Sequence, residues 1–195
     1  LDSGCDVITT NSFCCLNSMM DNCGEVAFEA AIIAKKTAGQ KLVAGSIGPG
    51  YEMPTHKDYE KTVQGLVDGG ADLLVIESVT NLQQAKIVLD VINSTLPVGV
   101  TFVKAPKQML EDELQFVGIN CGTEPSDIEL SKLSELTELP LAFFPAAGPS
   151  PDKIMSPNEW AKLTAEIASK YKCKHVGGCC GASAEHIKKL IVEII

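Results

Sequence analysis

Two adjacent cysteines lie in the glycine-rich stretch GGCCG near the end of the chain, and a third follows a hydrophobic run in GINCG. These residues are Cys179, Cys180 and Cys121. Thiolates are soft ligands that favour zinc over magnesium or calcium, and three of them leave one tetrahedral position open. The pattern is therefore typical of a catalytic metal centre. A vicinal disulfide, or buried thiols without a role, would account for the same residues.

The adjacent pair can reach one ion only where regular strand geometry ends, because neighbouring side chains of a strand point to opposite faces. Glycines at positions 177, 178 and 181 supply that conformational freedom. A reversible disulfide between Cys179 and Cys180 would instead indicate thiol redox chemistry without a metal.

Polar side chains follow several other hydrophobic runs of the sequence. Glu77 ends the run LLVIES, Ser46 lies in AGSIGPG, and Asn11 lies in TTNSF. Asn120 directly precedes Cys121. If these runs are parallel strands of a barrel, their carboxyl ends meet at one rim, where thiol, carboxylate, hydroxyl and amide groups would gather. We expect the functional site at that rim.

Hydrophobic runs alternate with amphipathic helical segments along the chain. Several runs are almost continuously apolar, as is typical of parallel strands covered on both faces. Seven successive strand–helix units indicate a parallel α/β fold, and a closed (β/α)8 barrel contains eight. An open doubly wound sheet is the rival, but the sequence lacks a glycine-rich nucleotide-binding fingerprint. The strand candidates are CDVITTN, KLVAGSIG, ADLLVIES, LPVGVTFV, QFVGINC, LPLAFFPA and CKHVGGC.

We therefore predict a (β/α)8 TIM barrel whose first strand and helix are missing from this chain. Residues 1–195 would form a single domain that contains strands 2 to 8 and their helices. The connection KAPKQMLEDELQ barely allows a crossover helix, which needs about a dozen residues with its loops. We expect this unit to be trimmed or to lack residues.

The charge and composition argue against several classes of partner. The formal net charge is −9, whereas nucleic acids and anionic membranes attract basic surfaces. No apolar run reaches the roughly 18 residues that a membrane span needs. Eight cysteines in an apolar chain of this size indicate reduced thiols and a cytoplasmic location. All 16 basic residues are lysines, so no guanidinium clamp holds a carboxylate or phosphate.

The three histidines carry no predicted role. We expect His56, His175 and His186 to be surface or helix-end residues rather than metal ligands. His186 lies in the final predicted helix, and His175 lies early in its strand, away from the rim.

The stretch GGCCG, followed by a helix with EHI, and the upstream GINCG resemble the homocysteine S-methyltransferase family. That family includes the homocysteine-binding domain of cobalamin-dependent methionine synthase and betaine–homocysteine methyltransferase. TTNSF, AGSIGPG and the strand with Glu77 are similar to the family in the same order. The resemblance implies that residues 1–195 form a homocysteine-binding barrel domain. It also implies one Zn²⁺ per chain, held by Cys121, Cys179 and Cys180.

The chemistry follows from the same resemblance. Homocysteine would bind zinc through its sulfur as a thiolate and would be methylated to methionine by an S-methyltransferase reaction. Glu77 would bind the homocysteine ammonium, and Ser46 with nearby backbone N–H groups would bind its carboxylate. Asn11 and Asn120 would orient the substrate or groups around the metal. No side chain beyond the zinc ligands is predicted to be catalytic.

The methyl donor has several alternatives at the level of sequence. We favour a methyl-corrinoid, methylcobalamin, carried on a partner domain or protein. S-methylmethionine or betaine would be the donor in a related thiol or selenol methyltransferase. A barrel that binds metal without turnover is the non-enzymatic alternative, and the missing first unit is the feature that supports it.

Overall fold

The structure is a computed structural model of the 195-residue chain, and it describes residues 3–50, 54–110, 113–122, 124–148, 150 and 152–195. All seven predicted strands are present, and helices lie between them, which confirms the α/β class. The strands follow one another in the sheet in chain order, and each pairing with a described register is parallel. The elements are β1 (Val7–Thr9), α1 (Cys23–Ala38), β2 (Leu42–Ile47), α2 (His56–Asp68), β3 (Leu73–Val79), α3 (Leu82–Val91), β4 (Val98–Phe102), β5 (Phe116–Cys121), α4 (Ile128–Ser134), β6 (Leu141–Pro145), α5 (Pro157–Lys170), β7 (His175–Val176) and α6 (Ala184–Ile194).

The described residues form two compact units. The N-terminal unit comprises Asp6–Val100 and Leu110–Gln115, and it contains β1 to β3, the start of β4 and helices α1 to α3. The C-terminal unit comprises Thr101–Met109 and Phe116–Ile195, with the first residues of the chain, and it contains the remaining elements. That residues 1–195 form a single domain stays a prediction.

Burial of the strands follows from their apolar sequences. Every residue of β4 is buried, and so is every residue of β5 before Cys121. Such strands lie under cover on both faces, as parallel strands do when helices connect them. In the C-terminal unit the register pairs Asn120 with Phe144 and Cys121 with Pro145, so the ends of β5 and β6 are level.

Small residues bring helices α1 and α2 of the N-terminal unit together. The buried face of α1 carries alanines about one turn apart, Ala27, Ala31 and Ala34 among them. A Cβ atom added at Gly65 would collide with the backbone carbonyl oxygen of Gly24, so the two helices touch backbone to backbone there. A larger side chain at either glycine would therefore push these helices apart.

A buried tryptophan organises the C-terminal unit. Trp160 on α5 is fully buried and packs in a cluster with Leu190 of α6 and with Ala147, which follows β6. Helix α5 begins with Ser156 as its cap, whose hydroxyl oxygen accepts from the Glu159 N–H, and Pro157 follows at its first turn. The cap fixes the start of α5 and thereby the position of Trp160 beneath the loops after β6 and β7.

The connection between β4 and β5 contains no helix among its described residues, from which positions 111 and 112 are absent. This agrees with the short connection that the sequence predicts. None of the helices in the described ranges is long and apolar enough to cross a membrane.

Candidate functional site

Three cysteines of the C-terminal unit come together, as the sequence predicts. The Sγ atoms of Cys121, Cys179 and Cys180 all lie within 4.8 Å of one another. The Sγ atom of Cys180 is 3.9 Å from that of Cys121 and 3.9 Å from that of Cys179. A disulfide has an S–S distance near 2.05 Å, so no such bond joins these thiols. We call the three residues the cysteine cluster.

Local backbone geometry at two strand ends produces this convergence. Cys121 is the last residue of β5 and has a φ of 69°, in the left-handed region that non-glycine residues seldom adopt. Strand β7 ends at Val176, so Cys179 and Cys180 lie in a turn rather than in a pleated strand. Gly181 closes that turn with a φ of 77°. The break in the pleat that the glycines predict is confirmed, and it lets adjacent side chains serve one site.

The turn also packs tightly on the tryptophan. A Cβ atom added at Gly178 would lie 2.5 Å from the Cβ of Ala182 and 3.3 Å from the Trp160 ring. The glycine is therefore required for close approach, because a side chain there would displace the residues that follow it.

Backbone hydrogen bonds join the cysteine cluster to the segment that ends β6. The Cys179 N–H donates to the carbonyl oxygen of Pro145 at 2.9 Å. The Ala146 N–H donates to the Cys121 carbonyl at 3.1 Å, and the Ala147 N–H donates to the Cys180 carbonyl at 2.8 Å. All three cysteines are thus held by one short segment, Pro145–Ala147.

The sulfur spacing fits a tetrahedral zinc ion. Zn–S bonds of about 2.3 Å place two ligand sulfurs about 3.8 Å apart. Two of the sulfur separations are 3.9 Å, and the third is no longer than 4.8 Å. Only a small inward movement would bring the three sulfurs to one ion. Three thiolates fill three positions of a tetrahedron and leave the fourth for another ligand.

The thiols hold their protons strongly when no cation is present. Burial, followed by the neighbouring thiols of Cys121 and Cys180, raises the pKa of Cys179 to about 12. Burial and the adjacent Cys180 also raise the pKa of Cys121. A divalent cation reverses both effects, because it supplies the missing opposite charge, so metal binding must release protons from the cysteine cluster.

Asn120 lies directly beside the cluster. Its side chain is buried, and its Nδ2 group donates to the Sγ atom of Cys179 at 3.8 Å. A donor to a ligand sulfur stabilises the thiolate and orients it. The structure therefore brings Asn120 together with the three predicted ligands.

Glu77 and Ser46, two of the predicted substrate-binding residues, are in contact in the N-terminal unit. Burial raises the pKa of the Glu77 carboxyl group, and a hydrogen bond from the Ser46 side chain opposes that effect. Glu77 lies near the end of β3, directly before Ser78, whose φ of 57° also falls in the left-handed region. A carboxylate buried with this little compensation is suited to a cationic ligand.

Two buried hydroxyl-bearing residues, Thr10 and Ser12, hold Ser46 in place through a closed ring of hydrogen bonds. The Ser46 N–H donates to Thr10 Oγ1 at 2.9 Å, and Ser12 Oγ donates to the Ser46 carbonyl at 2.7 Å. Thr10 Oγ1 and Ser12 Oγ are 2.6 Å apart. Because the Ser12 proton is already used, Thr10 donates to Ser12, and each member of the ring both donates and accepts.

The structure places Asn11 apart from this ring. Its side chain is exposed, whereas Thr10 and Ser12 on either side are buried. Asn11 lines an open groove of about 650 Å³ between β1 and α1, together with residues such as Ile8, Glu25 and Ile33. The motif TTNSF thus contributes two buried residues, Thr10 and Ser12, that the sequence reasoning did not single out.

His186 also has a place that the sequence did not reveal. It does lie at a helix end, as expected, but its side chain is only 4% exposed. Its ring lies edge-on to the Trp160 ring, with the centroids 5.5 Å apart. The sequence did contain a signal for a second contact of His186: Ser183, three residues earlier, has the spacing of a capping box with it.

Comparisons with known proteins agree with the motifs. A family model described as homocysteine S-methyltransferase matches residues 1–194. Methionine synthases of Mycobacterium leprae (strain TN) and Mycobacterium tuberculosis (strain ATCC 25618 / H37Rv) are each 25% identical to this chain. Each alignment is 244 residues long and covers 99% of this chain and 20% of the relative. The chain thus spans about a fifth of the length of these curated relatives.

Solved structures show the same fold. The apo homocysteine methyltransferase MmuM from Escherichia coli has a TM-score of 0.74 at 21% identity, over 98% of this chain and 81% of that protein. Together with the alternating strands and helices, this likeness confirms the predicted fold class. The match to the family model over nearly the whole chain confirms the family that the motifs predict: the chain belongs to the homocysteine S-methyltransferase family.

Proposed function

We propose that this chain transfers a methyl group to the sulfur of homocysteine and forms methionine, with one Zn²⁺ held by Cys121, Cys179 and Cys180. The observation that carries the proposal is the spacing of the three Sγ atoms, 3.9 Å for two pairs and at most 4.8 Å for the third. Zinc bound there supplies a Lewis acid that keeps a substrate thiol in its nucleophilic thiolate form. The family to which the chain belongs supports homocysteine as the thiol.

The chain's own residues prepare the site in two ways. The cysteine cluster must give up protons to bind the metal, and Asn120 Nδ2 stabilises the charge on Cys179 by donating to its sulfur. The left-handed backbone of Cys121 and the turn at Cys179 and Cys180 hold the sulfurs close together before a ligand arrives. Little reorganisation is then needed on binding.

The amino acid moiety of homocysteine needs partners for its ammonium and carboxylate groups. We assign the ammonium to Glu77, because burial leaves this carboxylate short of compensating partners. The carboxylate falls to Ser46 and neighbouring backbone N–H groups, since the chain has no arginine. Asn11 and Asn120 are proposed to orient the substrate or the groups around the metal.

A methyl-corrinoid, methylcobalamin on a separate domain or protein, is the proposed donor. Similarity to methionine synthases supports it, and this chain spans only about 20% of their length. S-methylmethionine and betaine are the alternative donors. A cytoplasmic location is proposed as well, because three thiols must stay reduced to hold a metal.

Metal analysis of the wild type and three variants tests the zinc site. The wild type should contain about one zinc per chain, and Cys121→Ser and Cys179→Ser should lose most of it while keeping their helical circular dichroism. Each variant should also lose methionine formation. The matched control is Cys14→Ser, which alters an exposed thiol outside the cluster and should keep the metal.

Substrate titration separates the enzyme from a barrel that only binds metal. Homocysteine added to the zinc-loaded wild type should release a proton, and methionine should form with one of the three donors. Zinc without proton release or turnover would contradict the proposed function. A protein without zinc, in which Cys179 and Cys180 oxidise reversibly, would indicate thiol redox chemistry instead.

A further inference from the structure

His186 is a buried residue of helix α6, and both of its ring nitrogens form hydrogen bonds. Its Nε2 atom lies 3.0 Å from the carbonyl oxygen of Met155. Its Nδ1 atom lies 2.8 Å from the hydroxyl of Ser183 and 3.2 Å from the Ser183 N–H. The carbonyl can only accept, so Nε2 carries the proton and Nδ1 accepts from Ser183. One neutral tautomer satisfies every contact.

A chain of hydrogen bonds leads from His186 to the cysteine cluster. Met155, which accepts from His186, donates through its N–H to the Ala147 carbonyl at 2.7 Å. The Ala147 N–H in turn donates to the Cys180 carbonyl at 2.8 Å. Two short hydrogen bonds therefore lie between the residue that His186 binds and the backbone of a predicted ligand.

The other ring nitrogen acts on the opposite end of the same turn. Ser183 is the cap of α6 and lies three residues after Cys180. By accepting from both the hydroxyl and the N–H of Ser183, His186 ties the exit of the turn to the first turn of the helix. The imidazole ring thus bonds directly to Ser183 at one end of this turn, and it is linked to Cys180 at the other end through Met155 and Ala147.

Trp160 completes the arrangement beside the histidine. Its indole N–H donates to the Ala146 carbonyl at 3.1 Å, and the Ala146 N–H donates to the Cys121 carbonyl. The Trp160 and His186 rings pack edge to face. Ala146 therefore links Cys121 to Trp160. Ala147 and Met155 link Cys180 to His186.

We propose that His186 is a positioning residue for the cysteine cluster: through Met155 and Ser183 it sets the separation of the Sγ atoms and thereby the affinity for the metal. The inference rests on the proposed zinc site, and it adds a residue that is not a ligand. Groups that orient metal ligands typically contribute about 10- to 100-fold in metal affinity.

The test compares variants of the full chain with Co²⁺ as a spectroscopic probe for zinc. His186→Phe keeps a buried ring beside Trp160 and removes all three hydrogen bonds of the imidazole. We expect it to bind Co²⁺ about 10- to 100-fold more weakly and to shift the d–d bands, because the sulfurs no longer converge. His186→Gln, whose amide both donates and accepts, should recover part of the affinity.

Leu190→Ala is the matched control for lost stability. Leu190 lies one turn further along α6, is 2% exposed and packs in the same cluster as Trp160. Its truncation should lower the unfolding temperature and leave the Co²⁺ affinity and spectrum of the folded protein unchanged. A folded His186→Phe protein with wild-type affinity and spectrum would overturn the proposal, and so would an equal loss of affinity in Leu190→Ala.

A metal-free measurement separates this proposal from the zinc site. Phenylarsine oxide bridges two neighbouring thiols: two As–S bonds form, the two thiol protons leave with the oxygen as water, and no oxidation state changes. The metal-free wild type should react faster than His186→Phe. If the wild type binds neither Co²⁺ nor Zn²⁺, the proposed function fails, while this rate still decides the role of His186. Equal rates in the two proteins would refute the positioning role.

Discussion

At the residue scale, a proposed metal ligand in the C-terminal unit and the proposed ammonium-binding carboxylate in the N-terminal unit are both groups that are costly to bury. Cys179 and Glu77 both have a raised pKa, in each case chiefly because burial disfavours the charged form. Ionisation of either residue therefore destabilises the folded chain. Such groups are typical of functional sites, where a ligand supplies the compensating charge.

Glu77 offers a prediction that separates a functional from a structural role. Its carboxyl group has a raised pKa in the folded chain, so its contribution is most favourable below its ordinary pKa of 4.5 and is lost as the pH rises through the folded value. Glu77→Gln removes that ionisation. We therefore expect the variant to gain stability relative to the wild type at about pH 7, and to gain less at about pH 4.

The same substitution should weaken substrate binding. Losing a hydrogen bond to the homocysteine ammonium should raise the apparent Kd by about 10-fold or more. Thermal unfolding at two pH values and homocysteine titration measure the two effects. Lower stability with unchanged affinity would show that Glu77 is a structural carboxylate.

At the element scale, short segments after the strands do most of the positioning. Pro145–Ala147, at the end of β6, bonds to all three members of the cysteine cluster. In the N-terminal unit, the residues after β1 bond to Ser46 of β2, which contacts Glu77 of β3. The cysteine cluster and Ser46 are therefore held by the end of a neighbouring strand rather than by their own loops.

The hydroxyl ring predicts a large difference between two adjacent residues. Ser12→Ala leaves the Ser46 carbonyl without a donor and the Thr10 hydroxyl proton without an acceptor in a buried place, which should lower the free energy of unfolding by about 1–3 kcal/mol. Asn11→Ala, one residue away and exposed, should change it by less than about 0.5 kcal/mol. Urea unfolding measures both. Similar effects of the two substitutions would contradict the closed ring.

At the scale of the whole molecule, buried thiols and a buried phenol make the metal-free chain sensitive to alkali. Burial raises the pKa of Cys173 from 9.0 to about 11 and that of Tyr59 to about 12. Groups whose pKa is raised by folding stabilise the chain below their unfolded pKa and lose that contribution as the pH rises through the folded value. Stability should therefore fall above about pH 9.

Cys173 isolates one part of this effect, since it lies outside the cysteine cluster. Between its unfolded pKa of 9.0 and its folded pKa of about 11, it should contribute a slope of up to about 1.4 kcal/mol per pH unit. Cys173→Ala should flatten the decline of unfolding free energy over that range. An unchanged slope would mean that the thiol reaches water in the folded chain.

The relatives extend this picture of the whole chain. The alignment with methionine synthase spans 244 positions, more than the 195 residues of the chain, so the relatives have stretches without a counterpart here. The connection between β4 and β5, which has no helix among its described residues, is one place where the chain is short for its fold. This agrees with the trimmed unit that the sequence predicts.

The sequence by itself determined the seven strands, the fold class and the identity of the three cluster cysteines. The positions of the strands follow from apolar runs of the right length, and the cysteines stand out because GGCCG and GINCG place soft ligands beside flexible glycines. Both are local patterns, so they can be read without knowing which residues meet in space.

Only the tertiary structure decided how those cysteines are held. The hydrogen bonds from Pro145–Ala147 to the cysteine cluster, the hydroxyl ring around Ser46 and the buried contacts of His186 all join residues far apart in the chain. His186 reads as an ordinary helix-end histidine until Met155, 31 positions away, is seen to accept from its ring. Hydrogen bonds between distant segments leave no periodic trace in a sequence, because their partners are set by packing and not by spacing.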